Sequence, residues 1–102
     1  MKLNLQTIFL ASGLGAAVCS AAETPAAALL VLNKGDNSLA IVDPVAAKVV
    51  ARAPSGPDPH EVVASKGLAF ISNYGGNNTL SVVDLVAQKP LAAVNLGALR
   101  SP

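Results

Sequence analysis

From residue 28 onward the chain alternates short apolar runs with polar breaks, and the apolar spacing is two rather than the three and four of a helix. In Ser38–Asp43, Leu39 and Ile41 fall on one face of an extended segment and Ala40 and Val42 on the other; in Thr79–Asp84, Leu80 and Val82 oppose Ser81 and Val83. Both faces are apolar or small, the pattern of a strand sandwiched between neighbouring sheets. Strands are predicted over 29–32, 39–42, 48–53, 61–64, 68–73, 79–84 and 90–96. Residues 33–37, with Gly35 and two asparagines, make a tight hairpin, and Asp43-Pro44 ends the strand that follows it. Strand 48–53 is expected at an outer edge, where Arg52 guards against edge pairing. PSGPDP, residues 54–59, reads as a rigid crossing loop, and Pro90 confines the last strand to an edge or to its own start.

These segments form a repeat. Asn33, Gly35 and Asn37 return as Asn73, Gly75 and Asn77, 40 residues later, and the extra Asn78 shifts the offset to 41. At that offset Leu39, Val42, Asp43, Val45, Ala46, Lys48, Ala51 and Gly56 recur as Leu80, Val83, Asp84, Val86, Ala87, Lys89, Ala92 and Gly97. A period of about 40 to 45 residues built from short strands is that of a propeller blade. The fold class expected is therefore all-β, a β-propeller of which this chain carries about two blades of four-stranded antiparallel sheet. Blade 1 is placed at about 28–56 and blade 2 at about 60–97. The first unit has three strands and lacks an inner one. Two blades do not close a ring, so the chain reads as the front end of a longer protein whose downstream sequence supplies the remaining blades and a latching C-terminal strand.

Residues 1–22 read as a secretory signal. Lys2 gives a thin positive region, 8–18 is a largely apolar stretch too short for a comfortable membrane span, and Ser20-Ala21-Ala22 offers small residues for a signal peptidase, with cleavage after Ala22 preferred and after Ala21 second. A lipoprotein signal fails because Val18 precedes Cys19 where a small residue is wanted. The expected location is periplasmic or secreted in a bacterium, with no membrane attachment after leader removal. The whole chain carries a formal charge of +1. The leader takes Lys2 and Cys19 with it, leaving 23–102 neutral and without cysteine, hence with neither disulfide nor thiolate metal site. No basic stripe invites nucleic acid.

Phe70-Ile71-Ser72-Asn73 followed by Ser81-Val82-Val83-Asp84 resembles the YVTN family of β-propeller repeats, with Leu30-Val31-Leu32-Asn33 as a weaker copy. Pro59-His60-Glu61-Val62 resembles the Pro-His entry to the inner strand in that family and in the related seven-bladed lactonase-like proteins, to which propellers of the haem d1 type are also related. The resemblance implies a seven-bladed parent. It implies little about activity, because similar propellers serve as surface-layer proteins, binding proteins, dehydrogenase subunits and haem carriers.

The candidate ligand-binding residues are His60, Glu61, Asp58 and Tyr74. His60, the one histidine, starts an inner strand and can face the channel of a propeller; the plainer reading packs it on Pro59 or bonds it to a loop carbonyl. A single histidine meets neither a zinc site nor a base, nucleophile and orienter arrangement. Asp58 and Glu61 flank it and can orient the ring or meet a hard cation, although such carboxylates are more often solvated loop charges. Tyr74 replaces Lys34 of the first copy and is a candidate surface contact. The recurring Asp43 and Asp84 point to a shared turn role. Asn77-Asn78-Thr79 matches a glycosylation pattern inside a tight hairpin and is expected to stay unmodified. Gly75-Gly76 precedes no helix and makes no phosphate cradle. No cofactor is evident and no residue is assigned a catalytic role. The leading expectation is an exported, non-catalytic scaffold that binds a protein or small-molecule ligand. The alternatives are a lactonase-like hydrolase, a periplasmic oxidoreductase subunit, or a structural array on the cell surface.

Overall fold

The computed structural model of the chain describes residues 22–76 and 78–97. Those residues are all-β and contain no helix. Two antiparallel sheets follow each other along the chain. The first has the order β1 (Leu29–Asn33), β2 (Ser38–Asp43), β3 (Lys48–Pro54). The second runs β4 (Pro59–Ser65), β5 (Leu68–Asn73), β6 (Thr79–Asp84), and then two short segments, β7 (Lys89–Pro90) and β8 (Val94–Asn95), which both pair with β6. Residues 1–21 of the proposed leader, Asn77 of the glycosylation pattern and the residues after 97 lie outside the described residues.

The sequence repeat is also a repeat of register. Asn33 pairs with Ser38 as Asn73 pairs with Thr79, and Leu39 pairs with Ala53 as Leu80 pairs with Val94. The turns repeat too. Asp43 Oδ1 accepts from the amides of Val45 (2.9 Å) and Ala46 (3.1 Å), and Asp84 Oδ1 from those of Val86 (2.9 Å) and Ala87 (3.0 Å). An aspartate that binds the backbone two and three residues on stabilises the turn locally, so the recurring Asp has a turn role in both copies. Each turn closes with a residue at positive φ, Ala47 (57°) and Gln88 (61°).

Alternation along each strand decides which side meets the other sheet. Register places Leu30, Leu32, Leu39, Ile41 and Ala53 on one face of the first sheet. It places Val62, Ala69, Ile71 and Val83 on one face of the second. These two faces pack together: Leu39, Ala53, Ala69, Ile71 and Val83 form one buried cluster, with Leu30, Leu32, Val62 and Leu85 against it. Neither sheet has a core of its own, so burial of aliphatic side chains holds the two as a pair.

Strand boundaries differ from the sequence expectation mainly at the ends. β4 begins two residues early, at Pro59, and contains a bulge between Pro59 and Glu61. The single strand expected over 90–96 is two short segments, in which 91–93 form no recorded strand pairs although the Leu91 amide still donates to the Val82 carbonyl (2.8 Å). Because Leu91 points its amide at β6, its neighbour Pro90 turns its missing donor to the open side, where proline is tolerated. The following Ala92 and Ala93 have low strand propensity and little side chain to pack. Residues 22–24 are fastened to the second sheet: Thr24 Oγ1 donates to the Leu85 carbonyl (2.5 Å) and Gln88 Nε2 donates to the Ala22 carbonyl (2.7 Å) and to Thr24 Oγ1 (3.1 Å).

Candidate functional site

The loop that joins the sheets is locked by hydrogen bonds to both hairpins. Ser55 N donates to the Asn37 carbonyl (2.9 Å) and Asp58 N to Asn37 Oδ1 (3.1 Å), which ties it to the β1–β2 turn. Tyr74 N donates to the Asp58 carbonyl (3.0 Å) and Gly75 N to the Pro57 carbonyl (3.1 Å), which ties it to the start of the β5–β6 turn. Close approach requires glycine twice here. A Cβ on Gly75 would lie 2.9 Å from Pro57 Cβ, and one on Gly56 would lie 2.7 Å from Asn73 Nδ2.

Under Gly56 lies a buried polar knot. Asn73 Nδ2 donates to Ser81 Oγ (2.7 Å) and Thr79 Oγ1 (3.1 Å), and Ser81 Oγ also accepts from Gly56 N (2.9 Å). Asn73 is almost wholly enclosed and its Oδ1 has no hydrogen-bond partner. Asn73 of this knot pairs with Pro59, the residue that starts β4.

His60 occupies the β4 bulge, exposed, between Pro59, which pairs with Asn73, and Glu61, which pairs with Ser72. A bulge leaves one residue outside the ladder and re-aims its side chain. The imidazole stacks on Tyr74, with ring centroids 4.1 Å apart and planes within 4°. Pro59, the residue before it, is buried. Beside the stack, Lys34 Nζ lies 3.0 Å from Asp58 Oδ1 in a pair with both side chains about half exposed. Solvent screening keeps such a pair worth about 0–1 kcal/mol.

The four sequence candidates thus separate. His60 and Tyr74 form one aromatic platform at the mouth of the loop. Asp58 carries that loop's backbone and turns its carboxylate to Lys34, a residue the sequence reading passed over although it holds the position equivalent to Tyr74. Glu61 goes to the far face of the second sheet, where it lines a depression of about 190 Å³ with Val63, Phe70, Ser72 and Leu80. Among the described residues no group of three or more His, Cys, Asp or Glu is placed to hold a metal ion. No family model matches the chain, and comparison with curated proteins gives no significant match.

Proposed function

We propose that this chain belongs to an exported YVTN-type β-propeller whose two sheets are consecutive blades, and that it binds a protein or small-molecule ligand without catalysing a reaction. The observation that carries the binding reading is the parallel stack of exposed His60 on half-buried Tyr74, held by a bulge and a locked loop at one end of the sheets. Two stacked rings present a flat, amphipathic surface at low entropic cost, since each side chain has few torsions left to fix. Lys34 and Asp58 beside it offer one charge of each sign for orientation. The blade reading rests on the shared register of the two units and the apolar packing between them. In this reading the leader directs the product to the periplasm or outside the cell.

The test is a titration of the purified protein with a panel of planar aromatic and charged small molecules, followed by NMR at the ring protons of His60 and Tyr74. Saturable shifts confined to these rings and abolished by Tyr74→Ala support the site; shifts unaffected by that variant overturn it. Turnover of a lactone that His60→Ala abolishes, or visible bands from bound haem or quinone, would replace the non-catalytic reading with the hydrolase or the oxidoreductase.

A further inference from the structure

The two sheets leave a pair of open faces that are repeats of the pair already packed together. On the first sheet, Leu29, Val31 and Val42 line the side away from the core. Their counterparts Ala69, Ile71 and Val83 on the second sheet are completely buried, whereas Leu29 is 52% and Val31 37% exposed. On the second sheet, Phe70, Leu80 and Val63 line the side away from the core and border the depression of about 190 Å³, with Ser72 and the Glu61 carboxylate at its margin. The counterparts of Phe70 and Leu80 are Leu30 and Leu39, which in the first sheet are covered by the cluster containing Ile71. One open face therefore has the shape of the covering partner, and the other has the shape of the covered one.

The exits from the two sheets also match. Leu96 N donates to the Asn78 carbonyl (3.0 Å), as Ser55 N donates to that of Asn37 (2.9 Å). After the first exit, Gly56 presses on Asn73 of the next sheet. After the second comes Gly97, and the residue equivalent to Asn73 in a following unit is Asn33, which is half-buried and makes a long 3.4 Å bond to Ser38 Oγ.

We infer that the chain associates head to tail with copies of itself, the Val31 face of one copy seating on the Phe70–Leu80 face of the next. Val31 then sits on Phe70 and Leu80 as Ile71 sits in the cluster with Leu39 and Leu30 within the chain, and Gly97 meets Asn33 of the next copy. Such an interface uses two different patches, so it grows until rotation closes it. The inference rests on the packing inside the chain and not on the ligand-binding reading, so either can fail alone.

The test is sedimentation velocity of the purified chain across a concentration series, beside Val31→Glu and Val63→Glu. Both positions are solvent-exposed in a single copy, so far-UV circular dichroism should keep its strand signal. The expected result is an oligomer for the parent and a monomer for each variant, with association weakened more than about 100-fold by an unpaired buried carboxylate. An equimolar mixture of the two variants should give a species of two chains and no larger, because each has one intact face. A second pair, Leu29→Glu with Val94→Glu, repeats the experiment if one of the first variants loses its strand signal. A parent that is monomeric throughout overturns the inference and leaves the faces to further sheets of a longer product. Loss of association through one face alone, or a mixture that stays monomeric, also overturns it, since either contradicts two complementary patches.

Discussion

At the residue scale, the clearest asymmetry between the two repeats is at their shared asparagine. Asn73 is enclosed and bonds Ser81 and Thr79, whereas Asn33 is half-buried and reaches only Ser38 at 3.4 Å. Asn73→Ala should cost about 1–3 kcal/mol in urea unfolding, the range for losing a buried hydrogen-bonding group, and Asn33→Ala less than about 0.5 kcal/mol. The orphaned Asn73 Oδ1 lowers the net value of the native knot, which argues for the smaller end of the first range. Gly56→Ala should destabilise by about 1–3 kcal/mol, because the new methyl meets Asn73 Nδ2 at 2.7 Å and the knot must shift to admit it. Thermal unfolding followed by circular dichroism measures that loss. The sequence showed that Gly56 and Asn73 matter in both copies. It did not show that they touch, because a repeat alignment matches Gly56 with Gly97 and Asn73 with Asn33, never one set with the other. The same limit hid the His60–Tyr74 stack: its partners are 14 positions apart in the sequence, and the bulge that aims the imidazole has no glycine to announce it.

At the element scale, period-two alternation and punctuation carried the strand order almost completely. Six segments with clean alternation or apolar runs formed strands within a few residues of their expected ends. The seventh, 90–96, broke in two, since pattern alone does not weigh Ala92 and Ala93, which satisfy the alternation but contribute little packing. Turn chemistry was equally legible in the two aspartates. What composition left invisible was the left-handed residue that ends each of these turns, because Ala47 and Gln88 are poor choices for positive φ. Ala47→Gly should therefore stabilise the first hairpin by about 0.5–1 kcal/mol, the relief of the Cβ clash less the added chain entropy. A rise in the urea midpoint at unchanged slope would bear this out.

At the scale of the whole molecule, the two sheets share one core, so they should unfold as one. Leu39→Ala, on the first sheet, removes a completely buried side chain that packs against Ile71 and Val83 of the second within the same cluster. The expected loss is about 2–5 kcal/mol, a large part of the stability of so small a unit. Amides of β6 should lose exchange protection along with those of β2; protection retained in β6 would show that the second sheet stands alone. The fastening of residues 22–24 has a further consequence for processing. Gln88 reaches the Ala22 carbonyl, and that oxygen belongs to the peptide bond which a peptidase cutting after Ala22 would hydrolyse. A cut there exchanges the acceptor for a new ammonium on Glu23 and leaves Gln88 with Thr24 alone, whereas a cut one bond earlier spares it. If a leader is removed, the exact mass of the product thus reports which of these hydrogen bonds close its amino terminus onto the second sheet.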